Sequence, residues 1–251
     1  MKIHRAITAT LLASVALSAH AEGAHWGYTG EGSPDHWAEL SPEYEACGSG
    51  STQSPIDIND QTAIPAVLPA LAFGYTPFPL ELVNNGHSVQ VSGAADNGFA
   101  VDDHSFELVQ FHFHAPSEYQ LNGVTYPLEL HLVHKREDGA LAVIGIMFEE
   151  GAENPALANV FAHIPSQIGT PEAFSDALVN VNELLPEDQL YYRLMGSLTT
   201  PPCSEGVNWY VMEHPLTASA AQIEAFAHLF PEGDARPLQA SNNRLVVKGV
   251  H

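Results

Sequence analysis

The sequence predicts a mainly β protein, one domain built around a large sheet with a few short helices. Three observations carry that expectation. Short segments rich in β-branched and aromatic residues recur along the chain, and turn residues bound each of them. Helix signals are few and brief. No repeat, low-complexity linker or change of composition divides the chain after its first residues.

In chain order, the strands expected are Ser88–Ser92, Phe106–His114, Leu128–His134, Leu141–Phe148 and Asn208–Met212. Asn84-Asn85-Gly86, Asp96-Asn97-Gly98, Asn122-Gly123 and Glu137-Asp138-Gly139 mark turns between them. Helices are expected at Asn154–His163, where Asn precedes Pro at the first turn, at Pro171–Leu185 and at Ser219–Phe230.

Composition narrows the function. The 251 residues are 45% hydrophobic and 15% charged, a globular balance, with 8 Lys and Arg against 30 Asp and Glu and a formal charge of −22. Such a surface repels nucleic acid and anionic membranes, which bind through basic faces. A small substrate of low charge suits it.

Residues 1–21 read as an export signal. Lys2 and Arg5 supply the positive start, Ala6–Ala19 the apolar run and Ala19-His20-Ala21 the small-x-small cleavage pattern. The run is too short for a bilayer, which needs about 20 residues. The mature domain is then 22–251, soluble and exported, either periplasmic or secreted, and two charges more negative than the precursor. Cys47 and Cys203 are the only cysteines, and in an oxidising compartment they are a disulfide candidate; two buried free thiols is the other reading.

Gln110-Phe111-His112-Phe113-His114 is the most informative stretch. On a strand, Gln110, His112 and His114 share one face while both phenylalanines face the other. A neighbouring strand, Leu128–His134, puts Glu129 and His131 on one face and His134 on the opposite one. If the two strands pair, His131 completes a three-histidine set. Three neutral imidazoles leave a fourth position for water, the pattern of a catalytic zinc site. Gln110 and Glu129, each two residues before a ligand, suit the role of holding the imidazoles. His112, His114 and Glu118 also have part of a cupin-like spacing, but no second cupin motif follows.

Taken together, His25-Trp26-Gly27-Tyr28, Gln53–Ile58, Asn84-Asn85-Gly86-His87, Gln110–His114, Glu129–His134, Leu141–Gly145 and Ser197-Leu198-Thr199-Thr200-Pro201-Pro202 resemble the α-class carbonic anhydrases of exported bacterial type. The resemblance runs nearly the length of the mature chain. It implies a large, twisted, mostly antiparallel sheet, one zinc ion on His112, His114 and His131, and reversible hydration of carbon dioxide by zinc-bound hydroxide. Thr199 would orient that hydroxide and Glu118 would orient Thr199. His87 would shuttle the proton, with Tyr28, Asn85 and Gln90 holding waters. Val133, Val143, Leu198, Val207 and Trp209 would form the apolar wall for carbon dioxide, flanked by Thr200. Cys47 and Cys203 fall where such members form a disulfide. The resemblance leaves monomer and homodimer open, and a non-catalytic binding module on the same fold is the alternative function. His134 reads as a buried structural histidine, and His25, His36, His104, His163, His214, His228 and His251 as ordinary surface or structural ones.

Overall fold

The computed structural model describes residues 24–165 and 167–251, so the export signal expected at 1–21 lies outside the described residues. Ten strands follow one another across the main sheet: Glu172–Val179, Phe78–Asn84, Val89–Ser92, His104–His114, Leu128–Lys135, Leu141–Glu150, Glu205–Met212, Tyr191–Ser197, Val246–Gly249 and Ile64–Ala66. Three short strands attach beside this path, making 13 among the described residues. Most pairings are antiparallel. Leu141–Glu150 runs parallel to Glu205–Met212 and to Leu216–Ala218, and Val246–Gly249 runs parallel to Ile64–Ala66.

The five expected strands all form, each within a few residues of its expected ends. Two expected helices form at Pro155–Phe161 and Ala220–Ala227. Asn154 caps the first through its side-chain oxygen, and Ser219 with Gln222 forms a capping box on the second. The third expectation fails. Pro171–Leu185 contains the strand Glu172–Val179 and a 3₁₀ turn at Val181–Leu184. Phe174, Leu178, Val181 and Leu185 do recur at helical spacing, but Phe78–Asn84 would otherwise be an open sheet edge. Pairing with that edge satisfies a row of backbone groups, and a bulge between Phe174 and Leu178 absorbs the misfit in spacing. Asn180 then caps the short turn.

A second bulge shapes the centre of the sheet. Register between Leu128–Lys135 and His104–His114 shifts at Val133/His134, where Val133 faces Gln110 and His134 faces Leu108. The extra residue is Val109, which is exposed. It resets alternation, so Phe106 and Leu108 join Phe111 and Phe113 in the main core although their spacing across Val109 breaks period two. Gly93 lies against the backbone at Leu108 and Val109, where a Cβ would collide with the carbonyl of Leu108.

The sheet separates two apolar clusters. The larger holds Phe111, Phe113, Leu128, Leu130 and Leu132 with the helix residues Leu157, Val160 and Phe226. The other face carries Val143, Met147, Val207, Trp209 and Val211 beside the histidines. His134 belongs to the first face, as expected: its Nε2 lies 2.8 Å from Tyr75 Oη, and Phe99 meets its ring edge-on at 4.8 Å. A disulfide joins Cys47 to Cys203 across 156 residues, at the side of the sheet where Trp37 is buried.

Closing so long a loop restricts the unfolded chain by up to about 5 kcal/mol. Reductant should therefore lower the melting temperature markedly, and thiol reagent in denaturant alone should find no free cysteine. Burial drives the His134 pKa from 6.5 down to about 3. The unfolded chain therefore takes up a proton that the folded protein refuses, and stability present above the unfolded value is lost as pH falls. The loss should be spread between about pH 6.5 and 3, with a slope approaching 1.4 kcal/mol per pH unit, about the value for one proton. Urea unfolding at several pH values should show this acid limb, and His134→Gln should flatten it.

Candidate metal centre

Antiparallel pairing sets His112 directly opposite His131, with Glu129 opposite His114. All three imidazoles therefore leave the same face, the one opposite Phe111 and Phe113. One ring nitrogen from each lies within 4.8 Å of the other two, the one group of this kind among the described residues. The rings stand at steep angles: 77° between His112 and His114 and 89° between His112 and His131. They converge on a point rather than stack.

Each ring is held by its second nitrogen. His112 Nδ1 donates to Gln110 Oε1 at 2.8 Å, His114 Nδ1 to the carbonyl of Asp234 at 2.8 Å and His131 Nε2 to Glu129 Oε1 at 2.9 Å. This fixes the tautomers and leaves Nε2, Nε2 and Nδ1 with lone pairs facing one another. Burial, with His114 and His131 nearby, holds His112 well below the usual histidine range, so that ring is neutral. His114 Nε2 is buried with no hydrogen-bond partner. An inward-facing, unpaired nitrogen on a buried ring is what a metal ligand presents.

The second oxygen of the Glu129 carboxylate accepts the N–H groups of Glu118 and Tyr119, at 2.7 and 3.0 Å. Glu129 thus ties His131 to the segment that carries Glu118. Gly145 makes room for it, since a Cβ there would stand 3.3 Å from Glu129 Oε1 and 3.7 Å from Trp209. Glu118 is buried, accepts the N–H of Arg236 through Oε1, and turns Oε2 to 3.5 Å from His114 Nε2. Oε2 has no hydrogen-bond partner, so the Thr199–Glu118 bond implied by the family resemblance is not formed here.

The remaining expected residues divide by place. Val143, Val207 and Trp209 are buried in one cluster, with Val133 and Leu198 packed against it, and Trp209 meets the His131 ring at 4.9 Å. The five therefore form a continuous apolar wall beside the imidazoles. Thr199 is buried at the end of the Tyr191–Ser197 strand, while the neighbouring Thr200 accepts from Cys203 N–H in the turn the disulfide holds. Gln90 is the register partner of His112 on its other side. Tyr28 Oη is buried without a partner; burial, then the charges of Glu118 and Asp234, push its pKa well above 10.0. Asn85 is exposed, and its Oδ1 is already engaged by the N–H groups of His87 and Ser88. His87 is half-buried and stacks on Trp26 at 3.7 Å.

Asp234 and Arg236 escaped the sequence reading. Asp234 fixes His114 through its carbonyl and Ala115 N–H through Oδ1, and burial pushes its carboxyl up to about 7. The Arg236 guanidinium bonds to Gln53 Oε1 and to the carbonyls of Ser54 and Cys47. Their one signal in the sequence is a pair of charged residues enclosed between Gly233 and Pro237.

Among known proteins, a carbonic anhydrase of Pectobacterium carotovorum is 44% identical over 242 residues, covering 96% of this chain and 98% of that protein. The α-carbonic anhydrase of Thermovibrio ammonificans, solved with the inhibitor sulfanilamide, superposes with a TM-score of 0.87 at 45% identity, covering 90% of this chain and all of that one. A dioscorin solved with ascorbate shares the fold with a TM-score of 0.83 at 32% identity, covering 90% of this chain and 99% of that one. The eukaryotic-type carbonic anhydrase family pattern matches residues 32–249, and with relatives this similar over nearly its full length the chain belongs to that family.

Proposed function

We propose that the chain is an exported zinc enzyme that interconverts carbon dioxide and bicarbonate. The observation that carries the reading is the set of three converging imidazoles, each fixed through its other nitrogen, beside an apolar wall. The donor set fits zinc: three imidazole nitrogens suit a tetrahedral ion with one open position, and His114 Nε2 is buried and otherwise unpaired. Zinc bound there supplies hydroxide at neutral pH, by lowering the pKa of its water to about 7, the established behaviour of carbonic anhydrases.

The protein's own groups do the rest. Gln110, Glu129 and the Asp234 carbonyl hold the imidazoles at the angles the ion requires. Val133, Val143, Leu198, Val207 and Trp209 receive an uncharged, apolar substrate without competing for it by hydrogen bonds. Glu118 Oε2, buried and unpaired, is the acceptor available to the Thr199 hydroxyl. With its own proton so engaged, the Thr199 hydroxyl would be left to accept a hydrogen bond from the oxygen nucleophile and so orient it. Each turnover also leaves a proton. His87, in the turn just before the strand that pairs with His112, takes it and passes it outward, with Tyr28, Gln90 and the Asn85 amide holding water along the way. Residues 1–21 direct export, and the disulfide accords with an oxidising destination, periplasmic or extracellular. No helix among the described residues is long and apolar enough to cross a membrane. A binding module without catalysis draws no support, since all three imidazoles are in place.

Stopped-flow carbon dioxide hydration tests the whole reading. Activity should vanish on stripping with a chelator and return with one equivalent of zinc; one bound zinc without hydration would refute catalysis. Two variants test the parts. Glu129→Ala should weaken zinc about 10–100-fold in chelator competition. Thr199→Ala should keep zinc and lose about 100-fold or more in kcat/KM.

A further inference from the structure

Three neighbouring strand ends meet at one end of the main sheet. Tyr191–Ser197 lies between Glu205–Met212 and Val246–Gly249, antiparallel to both. The loop that enters this middle strand therefore meets the segments that leave its two neighbours. Asp188 sits in that loop. His214 follows one flanking strand, two residues after Met212, and His251 follows the other, two residues after Gly249. Backbone bonds fix both approaches. Glu213 N–H donates to the carbonyl of Leu190 at 2.9 Å, and Val250 N–H to the carbonyl of Ala66 at 3.0 Å.

The result is a carboxylate flanked by two imidazoles. Asp188 Oδ2 lies 3.4 Å from His214 Nε2 and 3.5 Å from His251 Nε2. Both distances exceed an ordinary N–H···O hydrogen bond, about 2.7–3.2 Å. They match the edge of a coordination tetrahedron, since two ligands each about 2.0–2.1 Å from one ion stand about 3.4 Å apart. The other oxygen, Oδ1, accepts the N–H of Leu190 at 3.1 Å, which holds Oδ2 toward the rings. That N–H, with both histidines nearby, keeps the carboxyl below its ordinary range and so ionised. Lys248 does not pair with it, being taken by Asp60 and Glu213 at 2.9 and 2.8 Å. A hollow of about 220 Å³ opens beside Asp188 and His251 and leaves room for water.

We propose that Asp188, His214 and His251 form a second metal site, for a divalent transition ion such as zinc, that fastens the three strand ends together. The site shares no residue with the three-histidine centre and does not depend on the hydration reading. Two imidazoles and one carboxylate suit such an ion, with water completing its shell. The imidazoles arrive on opposite sides of the middle strand, so they stand farther from each other than from Asp188. The His251 ring, 81% exposed, has room to swing inward and close the remaining edge. The negative field of the chain draws cations toward this surface.

The test is a calorimetric zinc titration of protein that already holds one equivalent of zinc. At neutral pH a second equivalent should bind, and the melting temperature should rise as it does. His214→Ala and His251→Ala should each weaken the second equivalent about tenfold or more, abolish the rise and leave the first equivalent unchanged. Asp188→Asn, which keeps an acceptor for Leu190, should weaken it likewise. Acidification to about pH 5.5 should expel this ion, because both imidazoles must be neutral to bind it. Saturation at one equivalent would overturn the site and leave two surface ion pairs. A second equivalent retained by all three variants would place the ion elsewhere and overturn it equally. Binding that the variants lose, but that never raises the melting temperature, would mean an adventitious ion only and would overturn the fastening.

Discussion

The metal centre depends on one register. Had the strands His104–His114 and Leu128–Lys135 paired one residue differently, His131 would lie among the phenylalanines and Glu129 would face no histidine. Several interactions enforce the register at once. Leu128, Leu130 and Leu132 fill the main core with Phe111 and Phe113, and a one-residue slip would turn apolar side chains of one strand out of that core. The bulge at Val109 lets the same strand keep Phe106 and Leu108 in that core too. Packing on one face of the sheet thereby places the ligands on the other.

One of the three hydrogen bonds that hold the imidazoles comes from far along the chain. His114 is fixed by Asp234, 120 residues away, and Asp234 is held in turn by Ala115. Two residues on, Arg236 contacts Glu118 through its backbone and the segment after the first cysteine through its guanidinium, reaching Gln53, Ser54 and Cys47. Gln53 also donates to the carbonyl of Cys203. The disulfide, the Thr199 turn and the Glu118 carboxylate thus share one buried hydrogen-bonded knot. An arginine this deeply buried is costly unless its donors are met; three protein oxygens take bonds from its two terminal nitrogens, while Nε is left without a partner.

What the sequence revealed follows the range of the interactions. Gln110, His112 and His114 share a face by the geometry of one strand, so their convergence could be read directly. His131 and Glu129 needed only a neighbouring strand. The wall of Val143, Val207 and Trp209 joins two strands more than 60 residues apart in sequence, Leu141–Glu150 and Glu205–Met212, and only similarity to a known family brought those residues together in advance. Asp234 reaches His114 through a carbonyl and Arg236 reaches Glu118 through a backbone N–H, groups every residue possesses, and the partners of their side chains lie more than 100 residues away, so nothing local announces them. The segment Pro171–Leu185 shows the opposite failure. Its local pattern was helical, and the unpaired edge of Phe78–Asn84 outweighed it.

The strongly acidic surface treats the reactants unequally. With 30 Asp and Glu against 8 Lys and Arg, the surrounding field is negative. Carbon dioxide carries no charge and enters unaffected. Bicarbonate is repelled as it leaves, and protons emerging from the site meet abundant carboxylates that can pass them to solvent. The same field slows the approach of bicarbonate in the reverse direction. An enzyme cannot shift the overall equilibrium, so the field weakens the hold on the anion without altering the balance of carbon dioxide and bicarbonate in solution. The charge is therefore best understood as a kinetic setting: it favours quick loss of bicarbonate over tight capture of the anion.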